Sequence, residues 1–348
     1  MRMLVPAFLA ALGAAAADGP PPLPQPVTNN VVAVVGNEGR EYIVSLLGLG
    51  PGKTWRDLRS GGYLHAVGTN RWDALPEIPD GEGRLAAAAA TVDGAVLIFG
   101  GYTVAEDGGE KSTPYVYRLD IASRSYQRLA DMPTPVDDSV ALVHRDRYVY
   151  LVSGWHDVDN VPLVQMYDVA LDRWRPATPF PGTPVFGHAG AIEGDRMLIC
   201  DGVRVVREAG RARKYAPSDE CWLGTIDERA PERIDWKRIS SHPGPPRYRS
   251  AAVAGDGGFL FVGGSANPYN YDGIGYDGRA SLPESDVLRF DGVRQRWEAG
   301  PGPAVMDLRA LAVTGRGSFV VGGMRTGQAV SASVTVIDSF RPRQRPGF

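Results

Sequence analysis

AVLIFGG, residues 95–101, is one of six apolar segments that end in a glycine pair or in the remnant of one. The other five segments are YIVSLLGLG (42–50), YVYLVSG (148–154), RMLICDG (196–202), GFLFVGG (258–264) and SFVVGG (318–323). A recurrence at roughly 50 residues is typical of architectures in which each repeat forms one supersecondary unit. The chain is therefore expected to consist of six similar units.

Further segments recur on both sides of the apolar run. A strand of small residues precedes the run across a short turn, as in LAAAAATV (85–92), HAGAI (188–192), SAAVAG (250–255) and ALAVTG (310–315). Most repeats continue with a variable loop, a strand that ends near aspartate and an aromatic residue, namely Trp72, Tyr126, Trp174, Trp236 or Trp297. LAAAAATV would form a helix in isolation, but its counterparts contain valine, isoleucine and glycine, which indicates strands.

This pattern resembles the kelch repeat, whose doubled glycine is followed at some distance by tyrosine and tryptophan, over about residues 24–340. The resemblance implies an all-β protein, a six-bladed kelch-type β-propeller with four-stranded blades. The last repeat lacks a tryptophan-bearing fourth strand, so we expect PLPQPVTN (22–29) to supply it. That N-terminal strand would close the ring and remove exposed sheet edges. No second domain is expected.

The N-terminal sequence is typical of an exported protein. A basic start, the apolar run LVPAFLAALGAAAA (4–17) and small residues before Asp18 predict a signal peptide over residues 1–17. An N-terminal membrane anchor is the alternative, but the run falls short of the roughly 20 residues that span a bilayer. A proline-rich tether (18–23), the propeller (24–340) and a tail (341–348) follow. We expect a periplasmic or secreted protein with no membrane span after cleavage.

Charge and cysteine content narrow the possible partners and the compartment. The formal net charge of -3 over 348 residues argues against nucleic acid or an anionic membrane as partner. Cys200 and Cys221 are the only cysteines, and an even pair in an oxidising compartment suggests a disulfide. The strand assignments place both on adjacent antiparallel strands of one sheet, which favours the bridge over two buried thiols.

Strand direction predicts which loops share a face. The strands of each blade are called a to d from the axis outward. Because neighbouring strands are antiparallel, the b–c loops and the d–a links between blades must lie on the same face of the propeller. The b–c loops are long and varied, so the functional site is expected on their face. The predicted ligand-binding residues there are Arg84, Trp155, Arg249, Tyr269, Tyr271, Tyr276, Arg309 and Arg325.

The loop GGSANPYNYDGIGYDG (263–278) belongs to this face and holds three of those tyrosines. Their flat rings are expected to stack on the apolar faces of a sugar, while asparagine and aspartate side chains bond its hydroxyl groups. The alternative is a self-packed surface loop whose tyrosines cover their own backbone. The arginines of the face favour an acidic carbohydrate.

Two other kinds of site have little support. LGLGPGKTW (47–55) is one residue short of a phosphate-binding loop, and Gly61 and Gly62 interrupt the helix that such a loop requires. The five histidines have no close-spaced partners, so no metal and no other cofactor is predicted. Galactose oxidase shares the kelch architecture, but this chain has no evident counterpart of its copper ligands, and copper oxidase activity is not expected.

A closer resemblance is to the periplasmic N-acetylneuraminate epimerases, or sialic-acid mutarotases, through YIVSLLGLGPGKTW (42–55) and the tyrosine-rich loop. Mutarotation requires a general acid and base, and an arginine that holds the sugar carboxylate. The glutamate and arginine with these roles in that family align with Val203 and Pro217. His188, Asp201 and Glu220, with Glu208 as a further candidate, are therefore predicted as substitute acids or bases.

Two functions follow from these observations. The first is an exported propeller that binds a carbohydrate. The resemblance implies that it also catalyses anomeric interconversion, which is an isomerase reaction. The second is a non-catalytic kelch scaffold for a protein or a polymeric glycan.

Overall fold

The protein was analysed as a computed structural model, which describes residues 19–207, 210 and 213–337. The predicted signal peptide (1–17), Glu208 and the predicted tail (341–348) lie outside the described residues. Six β-sheets surround a common axis, and the predicted all-β, six-bladed propeller is confirmed. Within the described part of the chain, no helix has the length and apolar character needed to cross a membrane.

The strands of the first three blades follow the order of the chain. Blade 1 contains β1 (Val31–Asn37), β2 (Arg40–Leu46), β3 (Gly62–Ala66) and β4 (Asp73–Leu75), with a 3-10 turn at Trp55–Asp57. Blade 2 contains β5 (Ala88–Val92), β6 (Ala95–Phe99), β9 (Val116–Asp120) and β10 (Ser125–Arg128), with the hairpin β7 (Tyr102–Val104) and β8 (Glu110–Ser112). Blade 3 contains β11 (Val140–His144), β12 (Tyr148–Val152), β15 (Val164–Asp168) and β16 (Arg173–Pro176), with the hairpin β13 (Trp155–His156) and β14 (Asp159–Asn160).

The last three blades repeat this plan. Blade 4 contains β17 (Ala189–Glu193), β18 (Arg196–Cys200), β21 (Cys221–Ile226) and β22 (Ile234–Ile239), with the hairpin β19 (Val203–Val206) and β20 (Lys214–Pro217). Blade 5 contains β23 (Ala251–Gly255), β24 (Gly258–Val262), β25 (Asp286–Asp291) and β26 (Arg296–Pro301). Blade 6 contains β27 (Ala312–Thr314), β28 (Gly317–Val321) and β31 (Val334–Ile337), with β29 (Met324–Arg325), a 3-10 turn at Thr326–Gln328 and β30 (Ala329–Val330).

The first strand of each blade lies innermost and contacts its counterparts. β5 packs against β1 and β11, and β17 packs against β11 and β23. The alanine-rich segment predicted as strand forms β5, in which Ala88, Ala90 and Val92 are buried. Small side chains suit these strands because six of them converge on one axis.

The glycine pairs allow one blade to approach the next. Gly100 and Gly101 have φ values of +57° and +86°, which favour glycine. A Cβ atom at Gly100 would lie 2.4 Å from the carbonyl oxygen of Val136, and one at Gly101 would lie 2.6 Å from that of Leu85. The repeated pair therefore brings the second strand against the backbone of the d–a links.

Outer-strand aromatic residues fill the spaces between blades. Trp174 of blade 3 lies with its ring centroid 4.8 Å from Tyr167 and 5.9 Å from Phe99 of blade 2. Trp236 similarly lies 5.5 Å from Phe180. Such rings bury large apolar areas and stabilise the contacts between neighbouring sheets.

The sixth blade has three strands in the described residues. The N-terminal segment runs beside it, where the amides of Leu23 and Val27 donate hydrogen bonds of 2.8 and 3.1 Å to the carbonyls of Ala332 and Ser331. Leu23 and Val27 are both buried. No regular strand is formed there, so closure of the ring by an N-terminal strand stays a prediction.

Cys200 and Cys221 form the disulfide that was predicted. They are directly opposite each other on β18 and β21, with Cα atoms 4.2 Å apart. The bridge therefore joins the second and third strands of blade 4 at the end from which the b–c loop emerges.

Candidate functional site

The d–a links form a closed ring around the axis on the face of the b–c loops. Each link contributes a residue with a positive φ just before the inner strand: Asn29, Ala86, Asp138, Gly187, Arg249 and Asp307. Each link is hydrogen-bonded to the next around the ring, with amide-to-oxygen distances from 2.7 to 3.0 Å. Five of these bonds join backbone groups, and the Asn29 side-chain oxygen accepts the sixth, from the Ala86 amide.

Buried ion pairs cross this ring. Arg249 contacts Asp138 with N–O distances of 2.5 and 3.0 Å and Asp307 with one of 3.0 Å. Arg309 donates to Asp138 at 2.5 Å and to the Ser139 carbonyl at 2.6 Å. Although burial acts to raise the pKa of Asp138, Arg249 and Arg309 hold it below its ordinary value. Both arginine charges are therefore balanced within the protein.

An open pocket lies above this floor, between the b–c loops of blades 2 to 5, and its cavity volume is about 40 Å³. A cavity of this size holds a few water molecules, so a larger ligand would extend into the open mouth. The lining residues are Tyr102, Glu110, Asp137, Asp138, Trp155, Phe186, Tyr215, Tyr248, Arg249, Tyr269, Asn270, Tyr271 and Tyr276. Eight of these 13 residues are aromatic, but Tyr102, Phe186, Tyr248 and Tyr269 are at most 5% exposed, and the surface left accessible is more polar than apolar. We call it the aromatic pocket.

The rings of the aromatic pocket form a connected series from its rim to its floor. Tyr276 and Tyr215, from the loops of blades 5 and 4, stack with centroids 4.1 Å apart. The series then continues through Trp155, Phe186, Tyr248 and Tyr269, with successive centroid distances of 6.0, 5.4, 5.5 and 4.9 Å. Because each ring contacts the next, the wall is held in place before any ligand binds.

Asp137 is the buried carboxyl group of this wall. The Ser112 hydroxyl donates a hydrogen bond of 2.6 Å to its Oδ2 atom. Burial raises the pKa of Asp137 well above its ordinary value, and the adjacent charge of Asp138 acts in the same direction. The two neighbouring carboxyl groups therefore differ in protonation, because Asp137 tends to keep its proton and Asp138 stays ionised.

Glu110 lies at the mouth of the aromatic pocket on β8, two residues from Ser112 and on the same side of that strand. Although Glu110 is exposed, partial desolvation by the surrounding loops raises its pKa. In residues 19–207, 210 and 213–337, no hydrogen bond or ion pair to its carboxylate is found. It can therefore accept a hydrogen bond or an ion pair from a ligand.

The predicted ligand-binding residues divide into two groups. Trp155, Arg249, Tyr269, Tyr271 and Tyr276 line the aromatic pocket, although Tyr269 is fully buried in its floor. Arg84, Arg309 and Arg325 are not among the lining residues. Arg84 is buried against Asp80, and Arg325 donates to the Ala304 carbonyl and to the Thr335 hydroxyl.

The three predicted acid–base residues all lie outside the aromatic pocket. His188 is buried, and burial followed by the nearby Arg309 charge lowers its pKa to about 4. Asp201 accepts hydrogen bonds of 2.9 Å from His242, so its carboxylate is already paired. The Glu220 carboxylate accepts hydrogen bonds from the Thr183 backbone and hydroxyl and from Trp222. The carboxylates of Asp201 and Glu220 are thus bonded within the protein, whereas neither ring nitrogen of His188 has a hydrogen-bond partner among the described residues.

The two positions that align with the glutamate and arginine of the N-acetylneuraminate epimerases face each other across a hairpin. Val203 on β19 is opposite Pro217 on β20, and Val203 is completely buried. Neither side chain can transfer a proton.

In the part of the chain that the structure describes, no group of three or more histidine, cysteine, aspartate or glutamate side chains is arranged to hold a metal ion.

Several lining residues were not predicted, chiefly Glu110, Phe186, Tyr215 and Tyr248. A signal for two of them lies in the repeat itself. Asp137, Phe186 and Tyr248 each precede the first residue of an inner strand by three positions, and all three line the aromatic pocket. Aligning the d–a links of the six repeats would have identified this position. Glu110 had no such signal, because its b–c hairpin has no counterpart of equal length in the other repeats.

Comparisons with known proteins agree with the fold. A family model described as Kelch motif matches residues 83–133. Kelch-like protein 15 of Gallus gallus is 28% identical over 141 residues, which are 40% of this chain and 28% of that protein. Kelch-like protein terF of Aspergillus terreus is 25% identical over 187 residues, which are 52% of this chain and 39% of that protein. The matched regions therefore span well under half the length of these curated relatives.

A solved structure titled "Structure of YjhT" is similar to this chain with a TM-score of 0.72 and 17% sequence identity. The match covers 92% of this chain and 98% of that chain. At this level of identity the likeness concerns the fold, which is shared over nearly the whole length.

Proposed function

We propose that this chain, a kelch-repeat β-propeller, binds the ring of a small carbohydrate in the aromatic pocket. One observation carries the proposal, which is the group of partly exposed aromatic side chains above a hydrogen-bonded floor, namely Trp155, Tyr215, Tyr271 and Tyr276. Sugars present apolar C–H faces that pack on flat rings, and their hydroxyl groups need a few polar partners at the edge. Glu110, Asp137 and Asn270 supply such partners.

The electrostatics of the pocket favour a ligand without a negative charge. Among the described residues, Arg249 is the only cation that lines the pocket, and Asp138 and Asp307 already bond its guanidinium group. Asp138 is paired with Arg249 and Arg309, so Glu110 is the group that would repel a carboxylate, and Asp137 would become harder to ionise beside one. These charges support a neutral sugar as the ligand better than the acidic sugar that the arginines suggested from the sequence.

Calorimetric titration with neutral, amino and acidic monosaccharides tests the proposal. Saturable binding of at least one sugar, lost in Trp155→Ala, is expected because Trp155 lies midway along the ring series. Tyr126→Ala serves as a control, since Tyr126 lies on an outer strand and contacts Tyr117 rather than the pocket. Absence of binding across the panel would contradict the proposal.

Anomeric interconversion stays a prediction for this pocket. Asp137 is the lining carboxyl group suited to donate a proton, and Glu110 is the group suited to accept one, because Asp138 is neutralised by two arginines. Exchange spectroscopy between the two anomeric NMR signals of a bound reducing sugar tests it. Accelerated exchange that is lost in Asp137→Asn would support turnover, and binding without acceleration would argue against it.

A protein partner on the loop face is the second candidate. Val158 and Leu282, on the b–c loops of blades 3 and 5, are 66% and 62% exposed. Both lie on the face of the b–c loops, and contiguous exposed apolar patches mark protein-binding surfaces. Replacing both residues by serine should leave sugar binding unchanged, so the two functions can be tested separately.

A further inference from the structure

The aromatic pocket has an uneven distribution of charge. Three of its lining residues carry carboxyl groups, and one carries a guanidinium group. That guanidinium, of Arg249, is 3% exposed and bonded to two carboxylates. Since Asp138 is paired with Arg249 and Arg309 and burial raises the pKa of Asp137, Glu110 is the lining carboxylate without an ion-pair partner among the described residues.

Glu110 is the acidic group that a ligand can reach. It follows the tip of the β7–β8 hairpin, opposite Val104 in the strand register. The charged groups that act on it are Arg249, Asp138 and Arg213, none of which forms an ion pair with it in the described residues. A positively charged ligand group would supply the partner that Glu110 lacks.

The ring faces of the pocket also attract cations. The Arg213 guanidinium lies 4.8 Å from the centroid of Trp155 and 5.4 Å from that of Tyr215. The Arg249 guanidinium lies 4.8 Å from the centroid of Tyr248. Distances below about 6 Å are typical of cation–π interactions. These contacts show that the rings of Trp155, Tyr215 and Tyr248 suit a cation, and that guanidinium groups of the protein already lie over them.

An unpaired hydroxyl group completes the arrangement. Tyr248 lines the aromatic pocket and is 1% exposed, yet its hydroxyl has no hydrogen-bond partner in the described part of the chain. A buried polar group without a partner costs free energy, and this cost is removed when a ligand or water supplies the bond. The pocket therefore contains a polar group that is suited to a ligand.

We propose that the ligand of the aromatic pocket is an amino sugar whose ammonium group pairs with Glu110 while its ring packs on the tyrosine and tryptophan faces. The proposal rests on the carbohydrate-binding function above and names the class of sugar. A cation on Glu110 also occupies the proton acceptor that anomeric interconversion would use. The amino sugar should accordingly bind without faster exchange of its anomers.

The protonation of the acidic groups adds a pH dependence. Burial raises the pKa of both Glu110 and Asp137, and an adjacent ammonium group would lower it again. The groups that face Asp137 are Asp138, Glu110 and Arg249. Affinity for a cationic sugar should therefore fall as the pH is lowered through the raised pKa of Glu110.

Calorimetric titration of the whole chain at pH 6.5 with D-glucosamine, N-acetyl-D-glucosamine, D-glucose and D-glucuronate tests the inference. We expect glucosamine to bind about tenfold more tightly than the two neutral sugars, as for a charge-assisted hydrogen bond, and glucuronate to bind most weakly. Glu110→Gln should remove the preference, so that glucosamine and glucose bind the variant with similar affinity. An unchanged thermal unfolding midpoint, measured without sugar, shows that the variant is folded.

Glu106→Gln is the matched control, because Glu106 lies in the same hairpin loop and pairs with Arg56 at the surface. It should keep the preference for glucosamine. Glucosamine binding no tighter than glucose, or a preference that survives Glu110→Gln, would overturn the inference and leave carbohydrate binding intact. No binding by any of the four sugars would instead remove the proposed function on which the inference rests.

Discussion

Arg249 of blade 5 forms a two-bond ion pair with Asp138 of blade 3, with N–O distances of 2.5 and 3.0 Å. The pair joins two blades that are not neighbours in the ring, and Arg249 also holds Asp307 of blade 6. It thus connects half of the propeller through one side chain. Sequence reasoning assigned this arginine to a ligand; it lines the aromatic pocket, and its guanidinium group bonds two buried carboxylates of the protein.

Replacement of Arg249 should therefore destabilise the protein strongly. Arg249→Ala leaves Asp138 and Asp307 buried with fewer partners, and loss of one partner of a buried pair costs about 3–5 kcal/mol. Urea unfolding measures the change in the free energy of unfolding. Arg56→Ala, which removes an exposed pair with Glu106, should cost less than about 1 kcal/mol. Similar losses in the two variants would contradict the structural role of Arg249.

Asp137 should make the protein less stable as the pH rises. Its pKa is raised in the folded state, so between the unfolded and folded pKa values the folded chain binds more protons and the free energy of unfolding falls with pH. Asp137→Asn keeps an oxygen for the Ser112 hydroxyl and removes the ionisation. The variant should match the wild type near pH 4 and exceed it at pH 7, by about 1.4 kcal/mol for each unit of pKa shift.

Thermal or urea unfolding over this pH range provides the comparison. If the stability difference between Asp137→Asn and the wild type does not change with pH, then the pKa of Asp137 is not raised. Asp137 would then not be a proton donor in the aromatic pocket.

The disulfide should contribute about 3 kcal/mol to stability, because it closes a loop with a sequence separation of 21 residues. Replacing both Cys200 and Cys221 by serine should lower the unfolding midpoint. Adding a reductant should lower that of the wild type by a similar amount and leave the double variant unchanged. Two reactive thiols in the denatured, unreduced wild type would show that the bridge does not form.

The N-terminal segment should contribute to the stability of blade 6. Leu23 is 4% exposed, and its amide bonds the Ala332 carbonyl. Leu23→Ala should cost about 2–5 kcal/mol, as for other buried leucines. Gln25→Ala, at an exposed position of the same segment, should cost much less. Equal and small effects would mean that the ring does not depend on this segment.

The strands could be predicted because their signals are local and repeated. Glycine pairs, short turns and small residues recur in register, and six copies together identify LAAAAATV as strand despite its helical composition. The Cys200–Cys221 pairing followed from the same strand assignments. The repeat does not determine blade 6, which has three strands in the described residues and two backbone hydrogen bonds from the N-terminal segment to Ala332 and Ser331.

The site was less predictable because the partners of its charges are distant in sequence. Arg249 and Asp138 are 111 residues apart, and Arg309 and Asp138 are 171 apart. No local pattern shows that these arginines are neutralised, so they were interpreted as binding groups for an acidic ligand. The tyrosines of the fifth b–c loop were easier to place, because aromatic residues in a long loop have few other roles.

Saturation-transfer NMR on a mixture of monosaccharides, with the wild type and Trp155→Ala side by side, tests the central claim most directly. The account predicts transfer to the ring protons of at least one sugar, strongest on one apolar face, and its loss in the variant while Tyr126→Ala retains it. Transfer that is unchanged in Trp155→Ala, or no transfer to any sugar, would contradict the aromatic pocket as a carbohydrate site.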